Sequence, residues 1–160
     1  MRPELSLVEN DGGVSAAEFA DAMRALASGV AIVTCTVEGR PWGVTVTAFA
    51  SVSADPPTVL VSLGSNGTAA RAIAARRRFG VTVLSASQVD LAERCAQPGA
   101  PKFVDAWSLE GALAQLDCEV SRTVEVADHT VFFGRVLHAH AAAGGGEPLV
   151  YHRCAYRTES

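Results

Sequence analysis

Residues 43–57 read "GVTVTAFASVSADPP" and alternate with unusual regularity. Val44, Val46, Ala48, Ala50 and Val52 fall on one parity, and Thr45, Thr47, Phe49, Ser51 and Ser53 on the other, which in a strand means two opposite faces. The first set predicts a core face. The second carries small hydroxyls and one ring where a strand facing water usually mixes in Lys, Glu or Arg. Two readings fit it: an uncharged barrel strand, or a surface shaped for a flat polar ligand whose rim the hydroxyls and backbone groups can meet.

The flanking sequence extends the β reading in both directions. "VAIVTCTV" lies just upstream, and "EGRP" between it and the opening stretch predicts a tight antiparallel hairpin. "DPP" at 55–57 ends the second strand, "TVLVSL" at 58–63 makes a third, and "GSNG" interrupts the pattern. Before the hairpin, Ser15 and Glu18 form a capping box for a helix with Phe19, Met23 and Leu26 at helical spacing, stopped by Gly29. After it, "TAARAIAARRR" predicts a helix, "FGVTVLS" a strand and "QVDLAERCA" a short helix.

Residues 97–112 predict a loop containing Pro98, Pro101 and Trp107. "ALAQLDCEVSRTVEV", "HTVFFGRVLHAHAAA" and "PLVYHRCAY" then predict three closing strands. Strands in mostly meander order with only short helices predict a mainly β fold, a small closed barrel. Residues 1–13, ending in "NDGG", predict a flexible arm, and residues 14–157 a single domain.

Composition narrows the function classes. Hydrophobic residues make up 49% of the 160 and charged residues 19%, an apolar balance that predicts surface covered by a ligand or a second subunit. A net charge of -4 gives no global attraction to nucleic acid or to an anionic membrane. No stretch approaches the ~18–20 apolar residues of a membrane span. The opening "MRPELSLVENDGG" lacks the apolar run of a signal peptide, so the expected compartment is the cytoplasm. Cys35, Cys95, Cys118 and Cys154 are scattered without a C-x-x-C pair, which predicts free thiols rather than disulfides or a metal site. His138 and His140 share a strand face without a third fixed partner, and they read as a surface pair.

No dinucleotide fingerprint, phosphate-binding Walker loop, nucleophile elbow or H-E-x-x-H is present. What remains is the hydroxyl face, the turn "GSNGT" at a helix N-terminus where a phosphate could sit, an Asp128 and His129 pair in a strand turn, and the C-terminal "PLVYHRCAY". In order and spacing, "GVAIVT", "GVTVTAFASVSADPPTVLVSLG", "DLAERCA", "KF", "GALAQLDCEV", "DHTVFFGRV" and "PLVYHRCAY" resemble the short-chain flavin reductase family, over roughly residues 18–156. These are the reductase components of two-component flavin-dependent monooxygenases.

The resemblance implies a Greek-key-like, FMN-binding split β-barrel, usually a homodimer with flavin at the subunit interface. It also implies hydride transfer from NADH or NADPH to FMN or FAD, with reduced flavin passing to a separate monooxygenase. Carried onto this chain, Thr45, Val46, Thr47 and Ala48 would line the isoalloxazine, and Ser51, Val52 and Ser53 would continue along its edge. Ser65, Asn66 and Thr68 would hold the phosphate region, and Lys102 with Phe103 would approach from a loop. His129 would position the nicotinamide rather than relay a proton, since hydride transfer needs two rings held at contact distance. Tyr151 would cover the nicotinamide or close the barrel. Thr82 departs from the family, where relatives carry Asn. Two alternatives stay open: a flavoprotein that keeps its flavin and reduces another acceptor, and a flavin-binding module without catalysis.

Overall fold

The computed structural model describes residues 12–105 and 109–158. Trp107 and all but the last two residues of the predicted arm lie outside them. The first helix, α1 (Ala16–Met23), starts with the predicted capping box: the Glu18 amide donates to Ser15 Oγ, and the Ser15 amide donates to Glu18 Oε2. It ends well before Gly29, because Ser28 and Gly29 already form a short strand, β1.

Next come β2 (Ala31–Val37) and β3 (Arg40–Val46), paired antiparallel with Val33 opposite Val44. The turn between them places Glu38 at φ 51° and Gly39 at φ 75°. Two consecutive left-handed residues are what a two-residue hairpin turn requires, so "EGRP" forms the predicted hairpin. The chain continues through β4 (Phe49–Ala54), β5 (Pro57–Gly64), α2 (Thr68–Arg76), β6 (Arg78–Val83) and α3 (Val89–Ala96). It closes with β7 (Ala114–Val126), β8 (His129–Ala141), β9 (Val150–His152) and β10 (Ala155–Arg157).

A 7-stranded antiparallel sheet has the order β3-β2-β6-β7-β8-β5-β4. Its two edge strands are consecutive in sequence, separated by Thr47 and Ala48 alone. With consecutive Cα atoms ~3.8 Å apart, the ends of β3 and β4 lie within about 11 Å of each other, so the sheet must curl until its edges nearly meet. No ladder joins those edges in the sheet order. The barrel is therefore split at β3 and β4, which corrects the closed barrel expected from the meander.

The split also corrects the opening alternation. Val46 is buried and Val44 half-buried, but Ala48, Ala50 and Val52 are exposed. One continuous strand would have kept all five on the core face; the bend at Thr47 and Ala48 carries the chain from one edge to the other instead. The Ser62 amide donates to the Ala48 carbonyl at 3.0 Å, which fixes the crossing onto β5.

Two apolar cores flank this end of the barrel. The interior one gathers Val33, Val61, Ile73, Phe79, Cys118 and Phe132, with α2 plugging it through Ala69, Ala70 and Ile73. The outer one packs α3 against the other face of β2 and β3 through Ile32, Leu84, Leu91, Ala92, Cys95 and Leu149. Fully burying a side chain such as Phe132 or Ile32 contributes roughly 1.5–3 kcal/mol. Gly43 is required at this packing: a Cβ there would fall 2.8 Å from Ile32 Cγ2 and 3.1 Å from Val104 Cγ1.

The predicted last strand divides. Arg153 and Cys154 adopt φ 51° and 59°, folding the segment into the β9–β10 hairpin, which pairs with β1 in a separate 3-stranded sheet. It packs under the barrel rather than closing it, with Leu149 buried and its amide bonded to the Leu84 carbonyl at 3.0 Å. Among the described residues, no helix is long and apolar enough to cross a membrane.

Candidate functional site

A cleft of about 740 Å³ opens where β3 faces the end of β5. Trp42 and Val44 line one wall, Leu63 and residues 64–70 another, residues 99–103 a third, and Asp128 the rim. The turn after β5 is held from below. The Ser65 amide donates to the Asp128 carbonyl at 2.9 Å, Ser65 Oγ lies 2.8 Å from Thr130 Oγ1, and the Gly67 amide donates to the Gly64 carbonyl at 2.9 Å. The Arg71 guanidinium donates to the Asn66 carbonyl at 2.8 Å.

Gly67 is the N-cap of α2 and brings no side chain to cap it. The opening amides of a helix have no intrahelical acceptor, and here Thr68, Ala69 and Ala70 all border the cleft. Free amides and the positive end of the helix dipole favour an anion at that place.

Opposite this turn, a strap closes the free edge of β3. The Gly43 amide donates to the Lys102 carbonyl at 2.9 Å and the Val104 amide to the Pro41 carbonyl at 3.1 Å, making Trp42 and Phe103 a bridge pair. Their rings meet edge to face, 5.0 Å apart at 86°, and the Arg40 guanidinium sits 4.0 Å above the Phe103 ring. These contacts cover an edge that would otherwise be open to another chain, and they hold Lys102 at the mouth.

At the rim, the β7–β8 turn places His129 Nδ1 2.8 Å from Asp128 Oδ1. That hydrogen bond from His129 holds the Asp128 carboxyl below the usual carboxylate range. An ionised carboxylate only accepts, so Nδ1 carries the proton and Nε2 is left for another partner. The cleft thus joins an anion-attracting helix end, an aromatic and apolar wall and one lysine, with Asp128 on its rim and the imidazole of His129 held beside it.

Residues 23–160 match the family described as flavin reductase like domain. This chain belongs to that family. The reductase is 39% identical over 145 residues to the reductase component of a 4-nitrophenol 4-monooxygenase/4-nitrocatechol 2-monooxygenase of Rhodococcus opacus, covering 86% of this chain and 77% of that one. It is 38% identical over 154 residues to an NADH-dependent FMN reductase of Streptomyces nodosus subsp. asukaensis, covering 88% and 83%. Its fold matches an NADH:FAD oxidoreductase of Streptomyces globisporus, solved with NAD and FAD fragments, at a TM-score of 0.81 and 28% identity over 90% of this chain and 92% of that one.

The site residues read from the reductase sequence divide into three groups. Ser65, Asn66, Thr68, Lys102 and Phe103 all line the cleft, with His129 beside Asp128 at its rim. Those from the opening stretch do not line it: the Thr45 hydroxyl donates to the Ala92 carbonyl at 2.6 Å, and Val46 is in the interior core. Thr47, Ala48, Ser51, Val52 and Ser53 are exposed along the bend and β4, where Ser53 Oγ closes a local turn with Asp55. Tyr151 lines a second cleft of about 690 Å³, its ring 5.3 Å from Tyr156, with Glu93 and Cys154 nearby. Thr82 is buried between β2 and β7, opposite Ile32 and Gln115.

Sequence reasoning missed Trp42, Val44, Arg40 and Thr130. Trp42 and Val44 sit on the parity assigned to core, and "RPWG" immediately before the alternation was the available signal, an aromatic on an otherwise small-residue strand. Thr130 gave none, being one more hydroxyl in a β-branched run.

Proposed function

We propose that this reductase oxidises NADH, or NADPH, and reduces FMN or FAD, releasing reduced flavin to a separate flavin-dependent monooxygenase. The observation that carries this reading is the single cleft in which an uncapped helix N-terminus adjoins a wall of Trp42, Val44, Leu63 and Phe103. The residues present fit a flat phosphorylated cofactor: about 740 Å³ is within the usual range for such ligands, Trp42, Val44, Leu63 and Phe103 offer an apolar wall, and Ser65, Asn66 and Thr68 gather at the helix end, with Lys102 on the facing strap and the carboxylates of Glu38 and Asp128 also on the lining. When bound, flavin supplies the acceptor for a hydride and carries the two electrons away.

The chain's own residues hold and orient. Ser65, Asn66 and Thr68 bind the phosphate with the first amides of α2, and Lys102 adds a positive charge from the strap. Phe103 and Val44 exclude water from the ring. Thr45 and Val46 act at one remove, their side chains anchoring the end of β3 to α3 and to the interior core beside the cleft. His129, fixed through Nδ1 by Asp128, accepts a hydrogen bond at Nε2 from the nicotinamide carboxamide and so sets the angle of approach.

The working unit in this reading is a homodimer. β4 is an edge strand with Ala50, Ser51, Val52 and Ser53 exposed, and α1 presents Phe19 and Met23 to solvent, so among the described residues an unpaired strand edge and an apolar helix face both lack a cover. A second subunit there would enclose the flavin edge along Thr47, Ala48, Ser51, Val52 and Ser53, and would bring its Tyr151 cleft toward the nicotinamide. The compartment is the cytoplasm, in keeping with the buried free thiols of Cys35, Cys95 and Cys118.

Steady-state NADH oxidation with added FMN tests the reading. Protein-dependent turnover is expected, and His129→Ala should lower kcat/KM for NADH by about 10–100-fold with FMN affinity unchanged, as for loss of a substrate-orienting contact. No acceleration with FMN, FAD or riboflavin would overturn it.

A further inference from the structure

The Ser65 turn and the turn at Asp128 and His129 are not independent. Leu63 pairs with Thr130 and Gly64 with His129 across β5 and β8. Two further bonds continue the ladder beyond its end: Ser65 amide to Asp128 carbonyl, and Ser65 Oγ to Thr130 Oγ1. Thr130 is only 7% exposed and opens the inward face of β8, above Phe132 and Gly134. A polar side chain in that apolar row is costly unless it has a partner, and its partner is Ser65.

The hydroxyl pair can be ordered in two ways. With Ser65 donating to Thr130, the cleft meets only the lone pairs of Ser65 Oγ, which repel an anion. With Thr130 donating to Ser65, the Ser65 proton is free to point into the cleft. The Ser65 amide is already spent on Asp128, so the hydroxyl is the donor this residue has left for an anion. An anion in the cleft therefore selects the chain Thr130 to Ser65 to anion, in which each bond polarises the next.

We propose that Thr130 is a positioning residue that, through Ser65, sets the preference of the site for flavin carrying a phosphate over riboflavin. This rests on reading the cleft as the flavin site. Removing Thr130 Oγ1 leaves the apolar body of the flavin untouched, so the effect is confined to phosphate recognition.

The test is binding of FMN and of riboflavin, each by flavin fluorescence, to Thr130→Val, Thr130→Ser, Ser65→Ala and the Ser65→Ala/Thr130→Val double variant. Thr130→Val should weaken FMN about five-fold, the loss of one ordinary hydrogen bond, while riboflavin changes less than about two-fold. Thr130→Ser should restore FMN binding, and the double variant should bind FMN no more weakly than Ser65→Ala. Equal weakening of FMN and riboflavin by Thr130→Val would overturn the proposal in favour of a packing role. A loss of FMN preference in Ser65→Ala but not in Thr130→Val would overturn the relay and leave the phosphate site standing. No change of preference in either would remove the phosphate site as well. Should Thr130→Val not fold, Thr130→Ala carries the same comparison.

Discussion

β3 and β4 come from one alternating stretch and meet opposite fates. β3 is held on both edges, by β2 on one and the strap at residues 102–104 on the other, with α3 behind it and the interior core in front, while Trp42 and Val44 stay half-buried at the cleft. β4 pairs with β5 alone, and every residue after Phe49 is exposed. Alternation specified that both would be strands, but not which neighbours each would find. The hydroxyl face divides with them. Thr45 is spent on α3, whereas Ser51 and Ser53 stay at the surface, Ser53 closing only a local turn with Asp55.

The contrast is open to test, beginning with the most crowded position. Gly43→Val puts side-chain atoms where Ile32 Cγ2 and Val104 Cγ1 already are, and should cost about 3 kcal/mol, read as a lowered urea midpoint with an unchanged m-value. Thr45→Val keeps the shape but removes the 2.6 Å bond to Ala92, for an expected loss of about 1 kcal/mol in the same experiment. On β4, Val52→Lys should change the stability of the isolated chain by less than about 0.5 kcal/mol, because the residue is exposed. In the proposed homodimer its effect belongs to association, and the mass by light scattering is expected to fall from dimer to monomer. A large folding cost at Val52, or none at Gly43, would break the comparison.

A separate effect, read only at alkaline pH, distinguishes the inside of the barrel from its surface. Burial pushes the Cys35 and Cys118 thiols up from 9.0 to about 11, while Cys154 is exposed. The folded state keeps protons that the unfolded chain releases from about pH 9, so the stabilising contribution is complete below pH 9 and is lost as pH rises toward 11. The urea midpoint should fall over that window. At pH 8 a thiol reagent should label Cys154 in the native protein and all four cysteines after unfolding.

Much of this architecture was legible because local chemistry dictated it. Ser15 with Glu18 can cap only a helix start, and Glu38 with Gly39 suits the left-handed pair a short hairpin demands. The motifs around Ser65 and Lys102 fall on the cleft, and His129 falls beside it. What stayed hidden depended on long-range neighbours. Nothing at Thr47 or Ala48 is a breaker, so the switch of sheet edge is set by where β5 waits, not by the residues that bend. Arg153 and Cys154 adopt a conformation that residues with a Cβ seldom take, which concealed the last hairpin. The strap at Lys102 makes one bridge, too short to leave a periodic signature, and it is what turns Trp42 and Val44 from core residues into a wall of the cleft.

The most direct measurement is a crystal structure of the reductase with FMN. The phosphate is expected within hydrogen-bond reach of Ser65 Oγ and the opening amides of α2, with the ring against Val44 and Phe103. FMN bound in the Tyr151 cleft, or at any place away from the Ser65 turn, would contradict the assignment.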